Sequence, residues 1–285
     1  QQQGAGGGSS KGWPGPGGGS GRDRAARAMA PFVKEVVASA LMGAGMNGVG
    51  SLVYFALPLV QRAGVDAYLP DSLNLGEVVA VAIMFLLLSV FFSGTFSWLS
   101  GGSVMNPCVL FLQRVAGGIT TGQLLSGSVA VLLGTTLGVL GLKEALLRSQ
   151  IPDLHPKYML QPILHSTDLQ TAAQAEAVVA SVVLAFGSLL APLLGPLSGV
   201  AVAAFYCFVF LQEGCSYTCA VMNPAAIFAL HAANLDPATW RQAVLSPELW
   251  TSMAPYWLGP MAGGFAVGAV LRVSSWLFRP KTKKD

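Results

Sequence analysis

The chain has 285 residues, of which 53% are hydrophobic and only 10% are charged, and this balance excludes an ordinary soluble domain of the same length. Its net charge of +3 reflects a small surplus of Lys and Arg, which gives no reason to expect a nucleic-acid partner. Composition therefore predicts an integral membrane protein that has the lipid bilayer as its partner.

Residues 1–30 are rich in Gly, Ser and Gln and have little apolar surface to bury. We interpret them as a disordered, basic tail. The tail lacks the apolar core of a secretory signal. Its Arg-rich end, GRDRAARA, resembles the end of an organelle transit peptide, although a basic cytoplasmic flank is the favoured interpretation. The chain starts at Gln rather than Met, so whether residues precede Gln1 stays open.

Six mostly apolar runs follow, and most of them approach the length of about 20 residues that crosses roughly 30 Å of hydrocarbon. They lie at about 32–57, 77–97, 119–142, 172–193, 197–212 and 251–274. The run at 197–212 is short for a complete span. A charged, Pro-containing connector between the third and fourth runs is typical of a surface loop.

Basic residues cluster at both ends of the apolar region. Five Lys and Arg precede or begin the first run, and five lie at or beyond the end of the last. Because segments on the cytoplasmic side of a membrane carry an excess of Lys and Arg, we expect both termini to face the cytoplasm. An even number of spans agrees with this orientation, and residues 276–285 then form a basic cytoplasmic tail.

The two halves of the chain repeat the same features. Glu35 and Glu176 stand near the starts of the first and fourth runs, 141 residues apart, and the pairs Asn106-Pro107 and Asn223-Pro224 are 117 residues apart. Three spans in each half is an odd number, so the second half enters the membrane with the opposite polarity. This predicts an inverted repeat, with halves of about 31–142 and 172–275 and a functional site at the midplane.

The segments after the Asn-Pro pairs, MNPCVLFLQ and MNPAAIFALH, are too short to cross a bilayer. Asn is a good helix N-cap and Pro suits the first helical position, so each pair predicts the start of a re-entrant half-helix. Irregular backbone at membrane depth is tolerated where it is surrounded by protein or lines a cavity. Two N-terminal ends that meet there repel cations, while the two Asn side chains offer N–H donors to a neutral solute.

These features together resemble the aquaporin, or major intrinsic protein, family over about residues 30–275. The resemblance rests on the early glutamates, the segments YTCAVMNPA and YWLGPMAGG, and two boxes, which are Asn106-Pro107-Cys108 and Asn223-Pro224-Ala225. It implies an all-α membrane fold of six transmembrane helices plus two re-entrant half-helices, assembled as a homotetramer with a pore in each subunit. It also implies that Glu35 and Glu176 accept hydrogen bonds from the loops that carry the half-helices.

The departures from the family pattern concern the pore. Ala226 stands where most members have an Arg, and the family's constriction would here consist of an apolar set, Leu86, Leu211, Ala220 and Ala226. Phe85 or Phe210 takes part instead if the helix register shifts by one. With the altered first box and Cys219 in the second loop, the sequence resembles the unorthodox branch that includes plant small basic intrinsic proteins and animal superaquaporins.

The sequence therefore predicts a passive channel for water or small neutral solutes such as glycerol or hydrogen peroxide, without enzymatic activity, metal or cofactor. A closed or gated structural endomembrane protein is the alternative, because a ring without donors can dewet. Cys108 or Cys219, if it lines the pore, is an oxidation-sensitive position. The C-terminal RPKTKKD resembles a dilysine signal for the endoplasmic reticulum, and the plasma membrane stays open.

Overall fold

The computed structural model describes residues 21–68, 74–93, 96, 99–100, 102–149, 168–210, 218, 221–236, 238 and 240–278. All regular secondary structure in these residues is helical. Several expectations fall on positions outside this set, namely the Gly-rich segment 1–20, the constriction residues Leu211 and Ala220, Cys219 and the dilysine-like tail.

Each of the six predicted apolar runs falls on helix, and each Asn-Pro pair begins a further short helix. In chain order the helices whose bounds the structure describes are α1 Gly21–Asn47, α2 Val49–Arg62, α3 Leu75–Phe91, α4 Pro107–Ala116, α5 Thr121–Arg148, α6 Leu169–Leu194, α7 Ser198–Val209, α8 Pro224–Asn234, α9 Trp240–Val244 and α10 Pro247–Leu277. Single 3₁₀ turns lie at Val65–Tyr68 and Gly195–Leu197.

The first apolar run forms two helices rather than one. Between Met29–Asn47 and Val49–Arg62 the axis bends by 47° at Gly48. There the Asn47 side chain donates to the carbonyl of Gly43 at 2.8 Å, which competes with the regular backbone ladder. Helix α1 also starts at Gly21, inside the segment 1–30 that composition predicts to be disordered, because the run of Arg and Ala there has high helix propensity.

By length and apolar composition alone, two of the described helices, α5 and α6, are able to cross a membrane. A third span results if the bent pair of α1, from Met29, and α2 counts as one. Helices α3 and α7 are apolar but shorter, with 17 and 12 residues. The predicted spans are therefore unequal in length.

Large apolar side chains also cover the outside of the bundle. On α5, Leu125, Val129, Leu133 and Leu137 recur every four residues and are each at least 45% exposed. A helix face of this kind is stable against hydrocarbon or another protein surface but not against water. This feature agrees with the apolar composition in identifying an integral membrane protein.

Each half contains a close helix crossing, and both crossings depend on glycine. At the crossing of α1 and α5, a Cβ added to Gly138 would lie 2.1 Å from the carbonyl oxygen of Ala40. At the crossing of α6 and α10, a Cβ on Gly259 would lie 2.5 Å from the carbonyl oxygen of Ala173. Small residues thus allow the backbones to approach closely, as is common between membrane helices.

Each half-helix packs against a long helix of the opposite half. Helix α4 packs against α10 of the second half, and α8 packs against α5 of the first half. Helices α3 and α7 also contact each other across the same boundary. Because the pattern is reciprocal, the two halves are related as an inverted repeat and neither half buries its half-helix alone.

Polar side chains cap the two long spans. Thr120 and Gln123 form a capping box at the start of α5. Asp168 caps α6 and accepts hydrogen bonds from the hydroxyl and backbone N–H of Thr171. The side-chain bond from Thr171, helped by the backbone N–H groups, lowers the pKa of the exposed Asp168 carboxyl.

Candidate functional site

The two half-helices start in the same way. Asn106 accepts the backbone N–H of Cys108 at 2.9 Å, and Asn223 accepts that of Ala225 at 3.1 Å, each through its side-chain oxygen. Both asparagines have extended backbone, and a proline occupies the first helical position after each. The Asn-Pro pairs are therefore N-caps of half-helices, in agreement with the propensity of these residues.

The residue before each cap has an unusual backbone. Met105 has a φ of 57° and Met222 a φ of 49°, and no other non-glycine residue in the described chain has a positive φ. A left-handed conformation costs an L-residue about 1–2 kcal/mol. Both methionines therefore need contacts that hold the loop in this shape.

Glu35 supplies those contacts to the first loop. Its carboxyl group accepts the backbone N–H of Met105 at 2.7 Å and that of Val104 at 3.1 and 3.2 Å, one distance for each oxygen. The Ser39 hydroxyl approaches the same group at 3.5 Å. Glu35 is only 9% exposed and has little access to water. The hydrogen bonds from the loop take the place of those that water would donate to an exposed carboxyl group.

Glu176 does the same for the second loop. One of its oxygens accepts the N–H of Val221 at 3.0 Å, and the other accepts that of Met222 at 2.9 Å. The hydroxyl of the buried Thr218 donates to it as well. Since Glu176 is completely buried, this carboxyl group is devoted to the loop and is not available to a solute.

The two loops are also bonded to each other through the asparagines. The side-chain amide of Asn106 donates to the carbonyl of Met222 at 3.2 Å, and that of Asn223 donates to the carbonyl of Met105 at 3.1 Å. The left-handed methionines turn these carbonyls toward the opposite loop. Because each amide carries two hydrogens, one remains for a molecule in the adjoining cavity.

A cavity of about 730 Å³ adjoins both asparagines. Among the described residues its wall contains no charged side chain. Its polar lining side chains are Asn47, Ser103, Asn106, Gln113, Ser188, Ser198, Tyr206 and Asn223. Most of the remaining wall is apolar, with large contributions from Met42, Met46, Met84, Leu88, Phe92 and Phe210.

The predicted constriction falls only partly on this wall. Ala226 lines the cavity, but Leu86 does not and is 63% exposed on the outer face of α3. The cavity face of α3 carries Met84 and Leu88 instead. Phe210, the alternative to Leu211 under a register shift, does line the cavity, and Phe85 packs behind it in the same apolar cluster.

Cys108 points away from the cavity. It is 1% exposed, and its thiol donates to the carbonyl of Pro260 in α10 at 2.8 Å. The third residue of the first box therefore attaches α4 to α10. The expectation that Cys108 lines the pore does not agree with this position, because the helix turn that begins at Asn106 directs its side chain to the opposite side.

No protein-family model matches the chain, and no curated protein matches it. Among solved structures, it is similar to the X-ray structure of the aquaglyceroporin from Plasmodium falciparum. The TM-score is 0.61, and the match covers 87% of this chain and 95% of that one. The chain has an aquaporin-like fold.

At 12% identity the similarity concerns the fold and does not extend to the solute. The fold class expected from the sequence, an all-α membrane protein with an aquaporin-like inverted repeat, is thereby confirmed. Within the aquaporin-like bundle, sequence reasoning missed the positive φ of Met105 and Met222 and the methionines of the wall. The Met that precedes each Asn was a visible signal of an unusual loop, whereas the uniformly apolar helices did not indicate which of their residues face the cavity.

Proposed function

We propose that this aquaporin-like chain is a passive membrane channel for water and small neutral solutes, with Asn106 and Asn223 at its narrowest polar point. The main support is that both asparagines line one cavity while their half-helices start there. Each N-terminal end carries a partial charge of about +0.5. Two such ends facing one cavity disfavour a cation but accept the oxygen of a neutral molecule.

The wall favours solutes larger than water. Ala226 adds only a methyl group where an Arg would present a charge and five N–H donors. Tyr206 on α7, Phe210 directly after α7 and Met84 on α3 belong to one apolar cluster and give the cavity a broad apolar surface against which the carbon backbone of a polyol can pack. Glycerol and hydrogen peroxide are therefore the solutes that we propose beside water.

The apolar wall also supports one alternative. A cavity whose surface is mainly Met, Leu, Phe and Val can lose its water and close. The protein would then be a closed or gated structural component of an endomembrane. Proteoliposomes that shrink no faster than empty ones, although they contain correctly folded protein, would favour this second function.

The remaining proposals concern the setting of the channel. We propose a homotetramer with both termini in the cytoplasm, located in the endoplasmic reticulum or another endomembrane, of the unorthodox aquaporin branch. Support comes from the basic ends, the apolar outer faces and the residues that replace the family's Arg and first-box Ala. Relocation to the plasma membrane when the last five residues are removed would support the retention signal.

The test of solute class is to add the missing Arg. Purified protein is reconstituted in liposomes, and the liposome volume is followed by light scattering. Shrinkage in sucrose measures water flux, and reswelling in glycerol measures polyol flux. We expect Ala226→Arg to reduce glycerol flux at least about tenfold, a cost of about 1.4 kcal/mol, and to reduce water flux much less. Ala238→Arg, which adds the same charge at an exposed site, is the matched control.

Equal loss of both fluxes in Ala226→Arg would mean that this position blocks the cavity rather than selecting solutes. Unchanged glycerol flux would mean that Ala226 is not at the constriction. In either case the proposed role of Ala226 fails, while the channel function itself is judged from the wild-type water flux.

A further inference from the structure

The outer ends of the two half-helices carry basic residues at equivalent positions. Arg114 lies in the last turn of α4 and His231 in the last turn of α8, and they are separated by the same 117 residues as Asn106 and Asn223. Arg114 donates to the Thr121 hydroxyl at 3.1 Å. His231 is buried, and its Nδ1 donates to the carbonyl of Ile227 at 2.9 Å.

A cationic side chain from the opposite half of the chain also reaches each end. Lys143, half-buried on α5, donates through Nζ to the carbonyl of Ala233 at the end of α8. Arg272, exposed on α10, donates through Nη1 to the carbonyl of Val115 at the end of α4, at 3.3 Å. Thus each half-helix has one carbonyl of its last turn bonded by a side chain from the long helix on which it packs.

These contacts act on the negative end of each half-helix. The last carbonyls of a helix lack intrahelical donors and carry a partial charge of about −0.5. That charge opposes the positive N-terminal end and reduces the barrier to cations at the centre. A positive side chain at the C-terminal end offsets it and contributes a positive potential of its own.

We propose that Lys143 and Arg272 determine the cation selectivity of the pore, by countering the negative ends of the half-helices and so maintaining the positive potential at Asn106 and Asn223. The inference rests on the proposed channel function. It accounts for how a pore with Ala226 in place of Arg retains a barrier to cations: charges outside the cavity act through the two half-helices. Neither Lys143 nor Arg272 is among the residues that line the cavity.

The size of the effect follows from the helix lengths. The half-helices have 10 and 11 residues, so their ends lie about 15 Å from the centre at 1.5 Å per residue. For Lys143, Coulomb's law at an effective dielectric of about 20 corresponds to about fivefold in cation passage, which converts to about 1 kcal/mol. For the exposed Arg272, screening by solvent reduces the expectation to about twofold.

The experiment measures two fluxes in the same proteoliposomes of the full chain. Water flux is obtained from osmotic shrinkage. Cation leak is obtained from an entrapped sodium-sensitive dye after sodium is added to the outside of the liposomes. The variants are Lys143→Gln, Arg272→Gln and the conservative Lys143→Arg. Arg148→Gln is the matched control, because it removes one positive charge from α5, the helix that carries Lys143. In the wild type, Arg148 pairs with Glu144 at 2.7 Å and not with the end of a half-helix.

The ratio of sodium leak to water flux separates selectivity from a merely structural cap. A structural cap alone would lower the amount of folded channel and reduce both fluxes together, leaving the ratio unchanged. We expect the ratio to rise about fivefold in Lys143→Gln and about twofold in Arg272→Gln, and to stay at the wild-type value in Lys143→Arg and Arg148→Gln.

A ratio in both Gln variants equal to that of Arg148→Gln overturns the inference and leaves the channel function intact. If Lys143→Gln does not fold, the exposed Arg272→Gln decides the question, because its side chain supports no buried contact. Wild-type liposomes without water flux refute the proposed function, and the inference fails with it.

Discussion

Glu176 offers the sharpest test of how the second loop is held. In Glu176→Gln the side chain keeps its shape but has one acceptor oxygen instead of two. The present contacts place the N–H of Val221 on one oxygen and that of Met222 on the other, at 3.0 and 2.9 Å. One of these half-buried N–H donors must then face the amide NH₂ group of the new side chain.

The expected cost can be summed from these contacts. A buried N–H without an acceptor costs about 1–3 kcal/mol, and a hydrogen bond to a charged group contributes about 1.5–3 kcal/mol. Because the two losses overlap, we expect about 3 kcal/mol, which lowers the unfolding midpoint by about 6–12 °C for a chain of this size. The released Met222 should also abandon its left-handed conformation, so water flux should fall.

The assay is thermal unfolding in detergent, followed by tryptophan fluorescence and checked by gel filtration. Glu144→Gln is the matched control, because Glu144 is exposed and pairs with Arg148 on the same helix, an interaction of about 0.3–0.5 kcal/mol. A midpoint for Glu176→Gln within about 1 °C of that control would refute the reasoning, since about 1 kcal/mol moves the midpoint by 2–4 °C.

Three further outcomes follow from the packing and the caps. Gly138→Val should prevent folding or lower the unfolding midpoint sharply, because its Cβ would lie 2.1 Å from the Ala40 carbonyl oxygen, and expression as a monodisperse peak would contradict this. Two variants with a single cysteine can be compared, one that keeps Cys108 alone and one that has Ser188→Cys alone. Cys108 should react with a thiosulfonate reagent at least about tenfold more slowly than the cysteine in Ser188→Cys, because burial limits access. Equal rates would place Cys108 in the pore. Because Asp168 has a lowered pKa in the folded protein, the stability that it contributes is complete above its ordinary pKa of 3.8 and is lost as pH falls through the lowered value. The difference in unfolding midpoint between wild type and Asp168→Ala should therefore be constant above about pH 5 and shrink on further acidification, whereas a difference that grows with acid would contradict the assigned cap.

Local chemistry explains why much of the fold was visible in the sequence. Asn and Pro have strong and specific preferences at a helix start, so Asn106-Pro107 and Asn223-Pro224 indicated both half-helices before their partners were known. A glutamate is costly in a membrane, so Glu35 and Glu176 had to have partners inside the protein. These features depend on few neighbours and are readable from one segment at a time.

The parts that were missed depend on tertiary contacts. Apart from Glu77 and Ser89 near its ends, helix α3 is apolar, so nothing in its sequence decides that Met84 rather than Leu86 faces the cavity. Methionine has no preference for a positive φ, so the left-handed Met105 follows from tertiary contacts, namely the Glu35 carboxyl group that accepts its N–H and the Asn223 amide that donates to its carbonyl. The bend at Gly48 differs from these, because it results from local competition between the Asn47 side chain and the backbone hydrogen bonds.

The central claim is that Asn106 and Asn223 form a conducting pair, and osmotic flux through the double variant Asn106→Asp/Asn223→Asp tests it most directly. Both substitutions remove the amide donors and place carboxyl groups against the Met105 and Met222 carbonyls. Asn74→Asp is the matched control, since Asp retains the cap that Asn74 provides at the exposed start of α3.

Liposomes are matched for incorporated, folded protein and challenged with sucrose. The account predicts that wild type and Asn74→Asp shrink faster than empty liposomes and that the double variant shrinks at the empty-liposome rate. Shrinkage of the double variant at the wild-type rate would contradict the account, because water would then cross the protein without using the asparagine pair.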